Sequence, residues 1–349
     1  MSILKHHYFT VDTIMEEVHQ KCSNLVMYCT FNRKRRNCAD IFFLVKTCFG
    51  YCCAFNYAAL KDASELPFVD PDPDLEYYDD TMNDEDNSDG DELPPYAKII
   101  ATSESGSASG LSVVFNVEPN DYPTWSPIPY YGAKIIINDP NDYPETSNVY
   151  SYITLGESVD IKVEPRVFQS QSDVRRVDAS KRECWFHDEV YLGHTDRYSY
   201  ETCWTECKMK AYLQGCGCMP YKYPRGFVST RDMLCTPICY VECRDKGYKM
   251  TRDVTPFLSS LYPDDVIKGA NESELAALQV YFGKSNCNCY KLSLVIDLSY
   301  FVATYGGVFS LSFGGSIITF VELTYLIASF VVTVTLRALS KIVHTNSNF

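Results

Sequence analysis

Glu322 is the single charge in the 29 residues from Val308 to Leu336, and Gly314-Gly315-Ser316 stands just before it. A carboxylate at membrane depth is costly and is kept where it faces water, a partner or an ion. Glu322 is therefore a candidate cation-binding group. A plain anchor carrying an incidental Glu has the same composition, and the residue types alone leave both readings open. The second reactive set is sixteen cysteines in two groups. Cys22, Cys29, Cys38, Cys48, Cys52 and Cys53 form the first. Cys184, Cys203, Cys207, Cys216, Cys218, Cys235, Cys239, Cys243, Cys287 and Cys289 form the second. Structural zinc prefers paired Cys-x2-4-Cys knuckles or matching histidines. Here the spacings are mixed (Cys-x3-Cys, Cys-x-Cys, Cys-Cys) and there are six histidines in all, which favours disulfides in an oxidising compartment. The sequon Asn271-Glu272-Ser273 fits glycosylation in that same compartment.

Catalytic constellations are absent. The chain has no Gly-x-Ser-x-Gly, no His-Glu-x-x-His and no phosphate-cradling loop, so neither an enzyme nor a cofactor is expected. His187 and His194 lie among the cysteines without an evident nucleophile; they read as surface or packing histidines, with proton sensing as the alternative. The basic cluster Arg33-Lys34-Arg35-Arg36 reads as a solvated loop rather than a nucleic-acid surface.

The apolar run that carries Glu322 exceeds the roughly 20 residues needed to cross a bilayer. A transmembrane helix is expected over 304–336. Arg337, Lys341 and His344 follow it, while Asp297–Gly307 holds no Lys or Arg. Positive flanks stay cytoplasmic, so 337–349 is expected inside the cell and 1–300 outside. The N-terminus has no apolar core of a signal peptide. An upstream membrane segment missing from this sequence is the expected explanation, with insertion by the last helix alone as the other.

Residues 1–69 read as mixed helix and loop, helical over Thr13–Val26. Residues 70–92 hold twelve acids and no Lys or Arg, a local source of the net charge of −14. That composition predicts a solvated, disordered loop. An EF-hand reading fails on spacing, because Gly90 comes one place late. Strands are expected at Leu111–Val117, Ala133–Ile137, Tyr150–Thr154 and Val159–Val163. The cysteine-dense part, 181–290, carries one expected helix, Ser273–Phe282, with Ser273 as its N-cap. The fold class is α+β, and no solenoid-length repeat is present.

Three blocks together resemble the degenerin/epithelial sodium channel superfamily, most closely its insect pickpocket branch. The first is Cys29-x8-Cys38, Ile41-Phe42, Thr47 and Gly50-x-Cys52-Cys53-x-Phe55-Asn56. The second is Gly132-x-x-Ile135-x-Ile137-Asn138-x-Pro140, then Arg182-x-Cys184-x-Phe186-x-x-Glu189-x-x-Leu192, Tyr198, Cys203-x3-Cys207, Cys216-x-Cys218-x-Pro220 and Cys287-x-Cys289. The third is Gly306-Gly307, Phe313-Gly314-Gly315-Ser316 and Glu322.

This resemblance implies a trimeric, amiloride-sensitive, stimulus-gated and voltage-independent channel passing Na+ across the plasma membrane. Its subunits are multi-pass, with a disulfide-rich finger, thumb and palm outside, the thumb-like part being 182–290. It implies a selectivity filter and pore at Gly314, Gly315, Ser316 and Glu322. Ala303, Gly306 and Gly307 become gating positions. It implies disulfides among Cys29, Cys38, Cys53, Cys184, Cys203, Cys207, Cys216, Cys218, Cys235, Cys243, Cys287 and Cys289. Two departures stand out. No counterpart exists for the family's first membrane helix and early strand, which removes the usual partner of Cys52 or Cys53. Ser293 takes the place of the third cysteine after Cys287-x-Cys289, which leaves Cys184 without its usual partner, Cys239 being the substitute. A non-conducting regulatory subunit or single-pass receptor is the alternative function.

Overall fold

The computed structural model describes residues 10–58, 76–78, 99–102, 104–122, 130–145, 149–195, 197–224, 238–267, 270–294 and 298–346. The chain forms two compact units, 1–292 and 293–349.

The first unit is organised by one long strand. In chain order its main elements are α1 (Val11–Val18), β1 (Val26–Phe31), β2 (Lys34–Arg36), β3 (Phe42–Thr47), β4 (Gly50–Phe55), β5 (Leu111–Asn116), β6 (Gly132–Ile137) and β7 (Val149–Thr154). There follow β8 (Glu157–Ser170), α2 (Tyr200–Cys216), β9 (Arg244–Pro256), β10 (Leu275–Phe282) and β11 (Asn288–Leu292). Seven of these strands form a single sheet in the order β9-β8-β10-β5-β1-β2, with β11 also paired to β8. β8 pairs antiparallel with β9 along its length, from Glu157↔Pro256 to Gln169↔Arg244. Its other edge pairs parallel first with β10 and then with β11. The hairpins β3–β4 and β6–β7 stand apart as two-stranded sheets.

Strand alternation builds the core. Along β8, Val159, Ile161 and Val163 are buried while Asp160 and Lys162 point outward, where Lys162 pairs with Asp253 of β9. Val113, Phe115, Ala276, Leu278, Ile153 and Ile41 complete the same cluster.

The secondary structure of the first unit departs from the sequence expectations. Thr13–Val26 is not one helix. The chain leaves α1 at His19, makes a single turn at Cys22–Leu25 and enters β1 at Val26. Cys22 is bonded to Cys53 there and Val26 enters the core, so tertiary ties override helical pattern. The described residues 26–58 likewise carry four strands with one helical turn, Cys38–Ile41, among them. The expected helix at Ser273–Phe282 is instead a short 3-10 turn, Glu272–Glu274, capped by Asn271, followed by β10. Leu275, Ala276, Ala277 and Leu278 are all buried, because β10 lies between β8 and β5 with both faces covered. A strand covered on both faces shows no alternation. The four expected strands are all present. The acidic run 70–92 lies outside the described residues apart from a strand at Glu76–Tyr78.

The second unit is two helices, α3 (Leu298–Phe313) and α4 (Ile317–Asn346), where one helix over 304–336 was expected. Within α4, Ile318–Arg337 is long and apolar enough to cross a membrane.

Candidate functional site

Gly314 breaks the run because it takes the left-handed conformation, at φ 64°. That conformation costs little for glycine and ends a helix. Its amide donates to the Ser310 carbonyl at 2.9 Å, which closes α3. Ser316 then caps α4. Its Oγ accepts from the Thr319 amide at 3.3 Å, and Thr319 Oγ1 accepts from the Ser316 amide at 3.3 Å. Each cap satisfies amides that a helix start leaves open. Between the caps, the Phe309 ring lies against Gly315, where an added Cβ would stand 2.8 Å from it. A helix end also leaves its last carbonyls without intrahelical amides. The result is a three-residue step with backbone oxygens and the Ser316 and Thr319 hydroxyls, 3.2 Å apart, along one stripe. Glu322 extends that stripe by three further residues. Thr319 was not singled out in the sequence; its i+3 spacing from the capping serine is the signal that would have found it.

Ala303, Gly306 and Gly307 lie on α3 at i, i+3 and i+4, and so share one face. Apart from the adjacent residues and the backbone of α3 itself, no atom of the described residues lies within 4 Å of a Cβ built on either glycine.

In the first unit the disulfides are Cys22–Cys53, Cys29–Cys38, Cys184–Cys243, Cys203–Cys239 and Cys216–Cys218. Several expectations need correcting. Cys53 has a partner after all, Cys22, which the turn at Cys22–Leu25 presents to β4. Cys184 is bonded to Cys243, not orphaned. Cys287 and Cys289 are exposed free thiols rather than bridged. Cys207, also expected to be bridged, places its Sγ 3.9 Å from that of Cys239. Cys235 lies outside the described residues. Three strands, β9, β10 and β11, follow Cys243 in the chain before α3.

Arg182 explains the Arg-x-Cys-x-Phe-x-x-Glu block. Its side chain is 4% exposed and pairs with Glu189. It also donates to the carbonyls of Cys184 and Val177 at 2.9 Å and lies over the Phe186 ring. Glu189 accepts in turn from the Phe186 amide at 3.0 Å.

An unexpected acidic group surrounds the start of α2. Asp139, Asp142, Glu201, Glu242 and Asp245 line a cavity of about 250 Å3. Ser199 caps α2 and donates through Oγ to Asp142 at 2.7 Å; the Tyr200 amide donates to Glu242 at 3.0 Å. A helix N-terminus favours negative charge. Desolvation nevertheless dominates, followed by mutual repulsion. The Asp142 carboxyl is pushed up to about 7, chiefly by burial and then by Asp139. Burial, then Asp142, raises Glu242 well above the usual range, and burial raises Asp245 as well. No sequence signal marks this group, since its members come from three distant segments. His194 is a packing histidine: it is buried, with Nδ1 3.0 Å from Glu206 Oε1. Asn271 is exposed, and Ser273 Oγ donates to its side-chain oxygen at 2.9 Å.

A family model described as "Amiloride-sensitive sodium channel" matches residues 2–326. Pickpocket protein 28 of Drosophila melanogaster is 24% identical over 90% of this chain and 57% of its own length. The sodium channel protein Nach of Drosophila ananassae is 22% identical over 93% of this chain and 60% of its own. The epithelial sodium channel subunit gamma of Pelodiscus sinensis is 24% identical over 64% of this chain and 38% of its own. The chain thus spans less than two thirds of the length of these relatives.

Proposed function

Because the chain belongs to the amiloride-sensitive sodium channel family, a family of ion channels rather than enzymes, we propose that it supplies the extracellular domain and pore-lining segment of a plasma-membrane sodium channel subunit. The observation that carries this reading is the helix break at Gly314-Gly315-Ser316. Sodium is a hard cation and is held by oxygen ligands. Non-helical backbone at membrane depth is tolerated where it lines a water-filled path. Three subunits around an axis would present a ring of carbonyls, with the Ser316 and Thr319 hydroxyls beside it and a ring of Glu322 carboxylates about 9 Å further along the helix. The small face of Ala303, Gly306 and Gly307 suits close approach of a neighbouring helix. The partners are further copies of this chain or related subunits, Na+ and the bilayer. The cysteine-rich unit faces outward, Asn271 carries a glycan, the tail from Arg337 is cytosolic, and an external stimulus opens the pore.

Voltage-clamp recording with co-expressed related subunits tests this. Glu322→Gln and Ser316→Cys should each shift the Na+/K+ reversal potential or the conductance at unchanged surface delivery. Amiloride-blocked currents identical to wild type in both variants would sink the pore assignment.

A further inference from the structure

Three sulfur atoms meet on one side of α2. Cys203 and Cys207 stand at i and i+4 on that helix, so they share a face one turn apart. Cys203 is bonded to Cys239, and the Cys207 Sγ lies 3.9 Å from the Cys239 Sγ. All three sulfurs fall within 4.8 Å of one another. Cys207 is a thiol, outside the five disulfides of the described residues. Bonded sulfurs are about 2.05 Å apart, so a closure of about 2 Å joins Cys207 to Cys239.

The segment that carries Cys239 is held on both sides of it. The Trp185 indole donates to the Ile238 carbonyl at 3.2 Å, and the Tyr198 hydroxyl donates to the Tyr240 carbonyl at 2.6 Å. Cys243, four residues on, is bonded to Cys184. These ties keep Cys239 beside α2 whichever sulfur of the helix it is bonded to.

We infer that Cys203, Cys207 and Cys239 form a disulfide switch with two positions. The Cys207 thiolate attacks the Cys239 Sγ. The Cys207–Cys239 bond forms as the Cys203–Cys239 bond breaks, and the bonding pair leaves on Cys203. Cys203 then takes up a proton in place of the one that Cys207 gave up. The exchange is redox-neutral and needs neither oxidant nor reductant. It moves the anchor of Cys239 four residues along α2, about 6 Å of helix. The segment then hangs from the second turn of α2 rather than the first. Glu242 of the acid-lined cavity stands three residues from the exchanged sulfur and accepts from the Tyr200 amide at the start of the same helix.

The test uses the full chain in lipid nanodiscs, held at pH 8 without added oxidant or reductant. It is then unfolded in acid urea with N-ethylmaleimide, because exchange runs through the thiolate and acid stops it. The labelled cysteines are located by fragmentation in a mass spectrometer. Label is expected to divide between Cys207 and Cys203, about a tenth or more of it on Cys203, with Cys239 unlabelled. Cys207→Ser should abolish the label on Cys203. Cys203→Ser should yield a Cys207–Cys239 bridge, with an unchanged circular dichroism spectrum confirming the fold; if that variant does not fold, the wild-type label decides. Label on Cys203 and Cys239 together marks reduction rather than exchange and overturns the inference. So does label confined to Cys207, or a Cys207–Cys235 bridge in the unreduced peptides.

Discussion

Replacing Asp142 with Asn should stabilise the first unit at pH 8 and leave it unchanged at about pH 3. In the folded chain the Asp142 carboxyl is pushed from 3.8 up to about 7. Below about pH 3 it is protonated in both the folded and unfolded states and contributes no pH-dependent difference. As pH rises, the unfolded chain ionises freely while the folded one resists. Stability present at low pH is therefore lost progressively up to about pH 7. At about 1.36 kcal/mol per pH unit over that interval, the loss is on the order of 4 kcal/mol at most. Asn retains the oxygen that accepts from Ser199 but never carries the charge. It also removes a repelling neighbour from Glu242. Urea unfolding of the full chain in detergent, followed by tryptophan emission, is the assay. Trp185 and Trp204 both lie in this unit, beside the first disulfide of the region and on α2. The variant's midpoint should match wild type at about pH 3 and exceed it at pH 8. A variant no more stable than wild type at pH 8 would refute the argument that a charge held against desolvation governs this site.

Three further outcomes follow from the geometry. Gly315→Ala places a methyl 2.8 Å from the Phe309 ring and should lower single-channel conductance, with partial recovery in the double variant with Phe309→Leu. Arg182→Ala strands Glu189 and should cost about 3–5 kcal/mol in unfolding experiments, as expected when one partner of a buried pair is removed; Arg182→Lys should recover only part of it. A membrane-impermeant maleimide applied to intact cells should modify Cys287 and Cys289 within minutes and spare buried Cys48, as read by peptide mass spectrometry.

What the sequence disclosed divides along physical lines. Val159–Val163 and Leu111–Val117 were legible because one face of each is buried, and burial of one face writes alternation into the chain. Leu275–Phe282 was not legible, because its Leu-Ala-Ala-Leu opening is buried on both faces and favours a helix when read locally. The apolar run of the second unit was plain from composition, yet its division into two helices rests on the positive φ of a single glycine. Candidate residues close in sequence, such as Gly314, Gly315 and Ser316, could be named together in advance. The acid-lined cavity could not, since Asp142, Glu201 and Asp245 meet only after β6, α2 and β9 are in place. The cysteine pairing was not legible either, because Cys184 and Cys243 are 59 residues apart and meet only where Cys184–Trp185 pairs with Val241–Glu242.

The end of β8 has a mechanical consequence. The Ser170 amide and hydroxyl both donate to the Cys243 carbonyl, and the Gln171 amide donates to the Leu292 carbonyl. Ser170, the last residue of β8, and Gln171 after it thus grip the half-cystine bonded to Cys184 and Leu292, the last residue of β11. Five register pairs join β11 to β8, and thirteen join β8 to β9. A pull on Leu292 along the strand loads its rungs together in shear rather than one after another, so the joint resists slipping and moves as a strut. Displacement of the Cys184–Cys243 crosslink and tension at Leu292 are then two readings of the same lever.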